Sequence, residues 1–223
     1  MAKKISKDNM FFGLKLDPQQ EALRDAIYGT DYDIIFVNAK AGTGKTLISV
    51  ATAKLMVTEG RYSGLVYIVS PTQEQKQGFL PGNINEKTLP YSEPLEQALM
   101  KINENPMQAI KQCAASSNKE GKAWVDCISH TFLRGTNFEN VIVIVDEFQN
   151  SYVDEAKKIL TRCHDNCKVI CIGHSGQNDL YRNPQNSGFV KYLEHFKDQE
   201  RCAICELTLN YRGWISTHAD GLE

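Results

Sequence analysis

Residues 38–46 read NAKAGTGKT, and the fold turns on this stretch. It follows the phosphate-loop pattern G-x-x-x-x-G-K-[ST] except at its first position, where Ala39 stands for glycine. In such a loop, successive backbone N–H groups point at phosphates, backed by the positive end of the following helix. The expected cradle is therefore Ala39, Lys40, Ala41, Gly42, Thr43 and Gly44, followed by Lys45 and Thr46. Gly42 and Gly44 supply positive φ and remove Cβ atoms that would block the approach. Lys45 sets a point charge on the β- and γ-phosphates, and the Thr46 hydroxyl is a ligand for Mg2+. The context agrees: YDIIFVN (32–38) reads as a strand and TLISVATAKLMV (46–57) as a helix. Ala39 adds one methyl group, which costs little where its backbone keeps a negative φ. The plainer alternative is a glycine-rich turn without a nucleotide.

A second stretch, VIVIVDEFQN (141–150), is a buried strand running into paired carboxylates. At the carboxyl end of such a strand Asp146 can hold Mg2+ through water, while Glu147 polarises an attacking water. A phosphate loop with an acidic strand end indicates a nucleoside-triphosphate hydrolase or phosphotransferase.

Further apolar runs, GLVYIVS (64–70) and KVICIG (168–173), alternate with helical patterns such as YVDEAKKILTRC (152–163). Continuous apolar strands between amphipathic helices predict an α/β fold: a doubly wound, mostly parallel sheet with helices on both faces. In LDPQQEALRDAIYGT (16–30), Asp17 caps a helix, Pro18 takes its first position and Gln20 completes a capping box. Gly29 closes that helix. The stretch from about 72 to 118 is irregular apart from a helix expected over 94–103, and long irregular segments usually carry function.

The 223 residues suit one α/β domain, expected over 15–223 behind an N-terminal extension at 1–14. A net charge of -2 gives no global basic footprint, so nucleic acid would have to meet a local groove. The basic start MAKKISK leads into no apolar h-region, and no run approaches the roughly 20 apolar residues of a membrane span. A soluble, cytoplasmic protein is expected. Seven cysteines without an export signal favour reduced thiols, although the spacing in CAIC (202–205) keeps zinc open beside buried free thiols.

Several strings resemble motifs of superfamily 1 helicases. DEFQN resembles motif II, GHSGQND (173–179) resembles motif III, and LTLNYRG (207–213) contains the NYR motif. That resemblance implies that Gln177 senses the γ-phosphate and that Arg212 reaches it. It also implies that Gln20 reads adenine; the plainer alternative is that Gln20 only completes its capping box. GFLPGNINEKTLPYSEPLEQAL (78–99) and FLRG (132–135) then closely resemble segments of PhoH-like ATPases, and the likeness runs over roughly 15–215. Departures from the family pattern are Ala39, Phe148 in motif II, His174 in motif III and the NYRG ending.

The PhoH-like resemblance implies a RecA-like P-loop NTPase that hydrolyses ATP with Mg2+ and acts on single-stranded RNA or DNA. It also implies a homo-oligomer, with a ring as one form. An oligomer needs an arginine that crosses the interface, for which Arg134 and Arg212 are the candidates. For Arg134 the alternative is a loop-pinning role. Lys76, Phe79, Lys87 and Tyr91 mix charge with stacking surface in the long loop, or the two aromatics simply pack it. Two other classes share part of the pattern: an ATP-gated, non-catalytic binding module, and a thymidine-kinase-type deoxynucleoside kinase.

Overall fold

The computed structural model describes residues 11–69, 92–111, 123–129, 133, 135–177 and 183–219. Six strands form one sheet: β1 (Ile34–Ala39), β2 (Leu65–Val69), β3 (Val125–Ser129), β4 (Ile142–Asp146), β5 (Lys168–Gly173) and β6 (Cys202–Leu207). Their order across the sheet is β3-β2-β4-β5-β1-β6, and every pairing is parallel. The described helices are α1 (Pro18–Tyr28), α2 (Lys45–Thr58), α3 (Glu93–Lys101), α4 (Pro106–Ala109), α5 (Val153–Leu160), α6 (Gly188–Phe196) and α7 (Trp214–Ala219).

Period-two alternation in the central strands sorts their side chains into two cores. Ile35, Val37, Ile144 and Ile170 face one side, where α1, α2 and α3 cover them with Leu23, Ile48, Met56 and Leu99. Phe36, Val143, Val145 and Cys171 face the other side, under Ala156 and Ile159 of α5 and Phe189 of α6. Helices thus cover both faces. Phe11 is also buried in the first core, which therefore takes in residues before the expected boundary at 15.

The strands expected around residues 34–38, 65–69, 142–146 and 168–173 are all present. The helix expected over 94–103 lies at Glu93–Lys101. β3 and β6 were not foreseen, and both are edge strands. Their burial alternates along the chain, so neither presents the continuous apolar run that marks a strand covered on both faces.

β6 also explains the CAIC spacing. Cys202 packs into the second core and Cys205 against the first, on opposite faces of the sheet. An odd separation in a strand cannot bring two thiols to one ion. Burial pushes the Cys202 and Cys205 thiols up to about 11 and Cys163 up to about 12. They stay protonated and pack as small apolar groups.

Lys168 is the exception within the apolar strands. It is 2% exposed, and its ammonium donates to the carbonyls of Gly29 (2.9 Å) and Tyr32. Burial lowers its pKa from 10.5 to about 8, against a partly offsetting pull from Asp33. Between those two values the unfolded chain binds a proton that the folded chain does not, so this group's contribution to stability rises with pH. In urea unfolding, the wild type should therefore gain about 3 kcal/mol on a Lys168→Met variant as pH rises through this window. A stability difference that stays flat with pH would refute the shift.

Candidate nucleotide site

Sheet order sets the site. β5 lies between β1 and β4, so the two strand ends that carry the phosphate loop and the acidic pair open about 10 Å apart on one edge. Ala39 closes β1 in register with Leu207 of β6, and it is not among the residues with positive φ. Its methyl group is buried at 2% exposure, so alanine fits the strand end without strain.

Beyond Ala39 the chain makes a tight loop into α2. Gly42 (φ 81°) and Gly44 (φ 83°) both adopt the left-handed conformation that glycine takes without penalty. Gly44 is the N-cap of α2, and no side chain caps that helix end. Its first-turn N–H groups are therefore available to an anion, beside the positive end of a 14-residue helix. Lys45 folds back over the loop, and its ammonium donates to the carbonyls of Ala39 (3.1 Å) and Lys40 (3.3 Å).

Three neighbouring segments fix the loop. The first is the start of α1, where the expected capping box is complete: Asp17 accepts from the N–H groups of Gln19 and Gln20, and Gln20 Oε1 accepts from Asp17 N. The other end of the same amide, Gln20 Nε2, donates to the Thr43 carbonyl at 2.9 Å. The second brace comes from the turn after β5: Asn38 Oδ1 accepts from the N–H of Ser175 at 2.9 Å.

The third is the NYR segment after β6, which folds across the loop within the same chain. Tyr211 N donates to the Gly42 carbonyl at 2.9 Å, and Tyr211 OH donates to Asp17 Oδ2. The side chains of Asn210 and Arg212 lie against Gly42, within 3.1 Å of where a Cβ would stand. Burial works to raise the Asp17 carboxyl, but the Tyr211, Gln20 and Gln19 hydrogen bonds together outweigh it and leave the pKa lowered.

The acidic pair meets the loop directly. Thr46 Oγ1 donates to Asp146 Oδ2 at 3.0 Å, and the N–H of Glu147 donates to Oδ1 at 2.9 Å. Asp146 is 3% exposed, whereas Glu147 is exposed and takes a left-handed conformation at φ 52°. Gln149 Nε2 donates to Glu147 Oε2 at 2.6 Å. Tyr67 on β2, wholly buried, donates its hydroxyl to Asp146 Oδ2. Burial, with the Asp146 charge behind it, raises Tyr67 well above the usual phenol range, so the hydroxyl remains a donor.

Gln20, Ala41, Gly42, Gly44, Lys45, Thr46, Asp146, Glu147 and Arg212 all line one cleft of about 440 Å³. Ala39 and Thr43 are buried beneath the loop, and Lys40 faces an adjoining hollow together with His174. Gln177 is exposed on the turn after β5 and does not line the cleft among the described residues. Arg134 lies outside the described residues, as do Lys76, Phe79, Lys87 and Tyr91.

Tyr67, Gln149 and the role of Tyr211 were not foreseen. For Tyr67 a signal was available, because a lone hydroxyl inside an apolar strand must find a partner. For Tyr211 the contacts depend on tertiary packing alone, and for Gln149 on the left-handed turn at Glu147.

The PhoH-like protein family model matches residues 15–211. The chain belongs to the PhoH-like family. It is 33% identical to PhoH of Escherichia coli K12 over 191 residues, which is 79% of this chain and 52% of that protein. It is 28% identical to PhoH2 of Bacillus subtilis over 222 residues, 98% of this chain and 49% of that one. A PhoH-like chain of this length thus spans about half of the relatives it matches. The fold is that of RecA-like P-loop NTPases. A Sulfolobus solfataricus SWI2/SNF2 ATPase core solved with double-stranded DNA matches 92% of this chain and 47% of its own, with a TM-score of 0.52 and 15% identity. No described helix is long and apolar enough to cross a membrane.

Replacing Gly44 with alanine places a Cβ 2.9 Å from Gln20 Nε2 in a conformation costly to any L side chain. Gly44→Ala should lower stability by about 1–2 kcal/mol in urea unfolding. An unchanged midpoint would mean that the loop does not hold its left-handed turn.

Proposed function

We propose that this PhoH-like chain binds ATP with Mg2+ in the cleft, hydrolyses it, and couples turnover to single-stranded RNA or DNA. One contact carries the proposal: the 3.0 Å hydrogen bond between Thr46 and Asp146 joins the two halves of a phosphate site across 100 residues of sequence. Both atoms are oxygens, the donor type that a hard cation selects, and one of them belongs to a nearly buried carboxylate. A cleft of about 440 Å³ lies within the usual size of small-ligand pockets.

The residues divide the work as follows. N–H groups from Ala41 to Thr46 receive the phosphates, and Lys45 leaves its carbonyl partners to neutralise them. Thr46 and Asp146 would hold Mg2+, which when bound would supply charge compensation for the phosphates. Glu147 orients and deprotonates the attacking water. Arg212, packed beside Gly42, serves its own subunit by meeting charge that develops on the γ-phosphoryl group. Gln20 and the Tyr211 ring bound the side of the cleft where the base would lie. Gln177 acts only after its turn moves toward the loop.

Arg134 is left as the candidate to cross into a neighbouring subunit of a cytoplasmic homo-oligomer. The domain expected over 15–223 is proposed to begin no later than Phe11, which its first core buries, with the segment of about 72–118 as the nucleic-acid contact. The kinase alternative is weakened by family membership and by the opposed faces of Cys202 and Cys205. A switch without turnover is favoured by one observation, the 2.6 Å hold of Gln149 on the Glu147 carboxylate.

Calorimetry and phosphate release separate these possibilities. Lys45→Ala should abolish the heat of Mg·ATP binding. Glu147→Gln should keep that heat while slowing phosphate release by about 10²–10⁴-fold. Wild-type release should rise when single-stranded oligonucleotides are added at low salt. A wild type that binds without releasing phosphate would favour the switch, and release indifferent to every oligonucleotide would remove the nucleic-acid part.

A further inference from the structure

The Asp146 carboxylate is gripped from two sides. At the cleft, Thr46 Oγ1 reaches Oδ2 (3.0 Å) and the Glu147 N–H reaches Oδ1 (2.9 Å). From inside the sheet, the Tyr67 hydroxyl reaches the same Oδ2. The register accounts for the meeting: Val69 of β2 pairs with Asp146, so Tyr67, two residues earlier on the same face, is its diagonal neighbour. Tyr67 has no exposed surface and does not line the cleft, so nothing bound there touches it. A phenylalanine would fill the same space with the same ring. The hydroxyl adds only its bond to Asp146, and burying it is unfavourable without such a partner.

We infer that Tyr67 is a positioning residue that sets the affinity of the Thr46–Asp146 pair for Mg2+, a role that rests on the Mg·ATP reading above. A carboxylate that lines a cleft can turn toward the water within it, and one that does so leaves its Thr46 partner. The hydroxyl, anchored in a close-packed core, holds Oδ2 beside Thr46 Oγ1, so both oxygens are aligned before a cation arrives. Bonds of this kind to a ligating carboxylate matter, and their loss typically weakens metal affinity about 10–100-fold.

The test is calorimetric titration of ATP into the full chain over a series of Mg2+ concentrations and again in EDTA. Tyr67→Phe should raise the Mg2+ concentration for half-maximal enhancement of ATP binding about tenfold or more, with the loss confined to the Mg2+-dependent part. Lys45→Ala should instead remove binding with and without the metal. Thermal melting shows whether the variant folds. A Tyr67→Phe protein with a lowered melting temperature but the wild-type Mg2+ midpoint would make the tyrosine purely structural and overturn the inference. A wild type with no Mg2+-dependent binding would fail at the step beneath, and the role of Tyr67 would fall with it.

Discussion

The hydrogen bond between Thr46 and Asp146 depends on the whole sheet. Neither residue is near the other in sequence, and the strands that carry them are not neighbours. β5 separates them and pairs with both, so the registers Val37 to Ile172 and Val145 to Cys171 bring the two strand ends level. A slip of one residue at either pairing would exchange the two cores and withdraw the carboxylate from the loop. The apolar sorting that stabilises the sheet is therefore the same constraint that aligns the site.

Around that contact the chain converges from distant points. The start of α1, the turn after β5 and the segment after β6 each bind the loop through a backbone group: the Thr43 carbonyl, the Ser175 N–H and the Gly42 carbonyl. The bonds to Thr43 and Gly42 need positions rather than particular side chains at the loop, whereas the third uses the Asn38 side chain; none involves Ala39, so alanine can replace glycine without disturbing them. Beyond Arg212 the pattern changes. Trp214 and Ile215 of α7 are 73% and 77% exposed, an apolar surface that begins two residues beyond Arg212.

Much of this was legible in the residues. Strands covered on both faces need unbroken apolar runs, and β1, β2, β4 and β5 were read from theirs. Asp17, Pro18 and Gln20 specify the start of α1 through local bonds, which sequence spacing captures. What escaped was half exposed, decided by distant packing, or set by the local turn at Glu147. β3 and β6 have water on alternate side chains. Gln149 and Tyr67 gain meaning only from neighbours 2 and 79 positions away whose directions the fold sets. The spacing of CAIC suggested ligands because a sequence does not state that a strand has two faces.

Gln20 has a consequence for how motifs of this kind are interpreted. Its carbonyl closes the helix start and its amino group steadies the loop, so the fold already demands both ends of the side chain. Glutamate would keep the first bond, lose the second, and bring another negative charge beside Asp17. Methionine would keep neither. Selection for architecture is thus sufficient to retain an amide here, whatever the cleft binds.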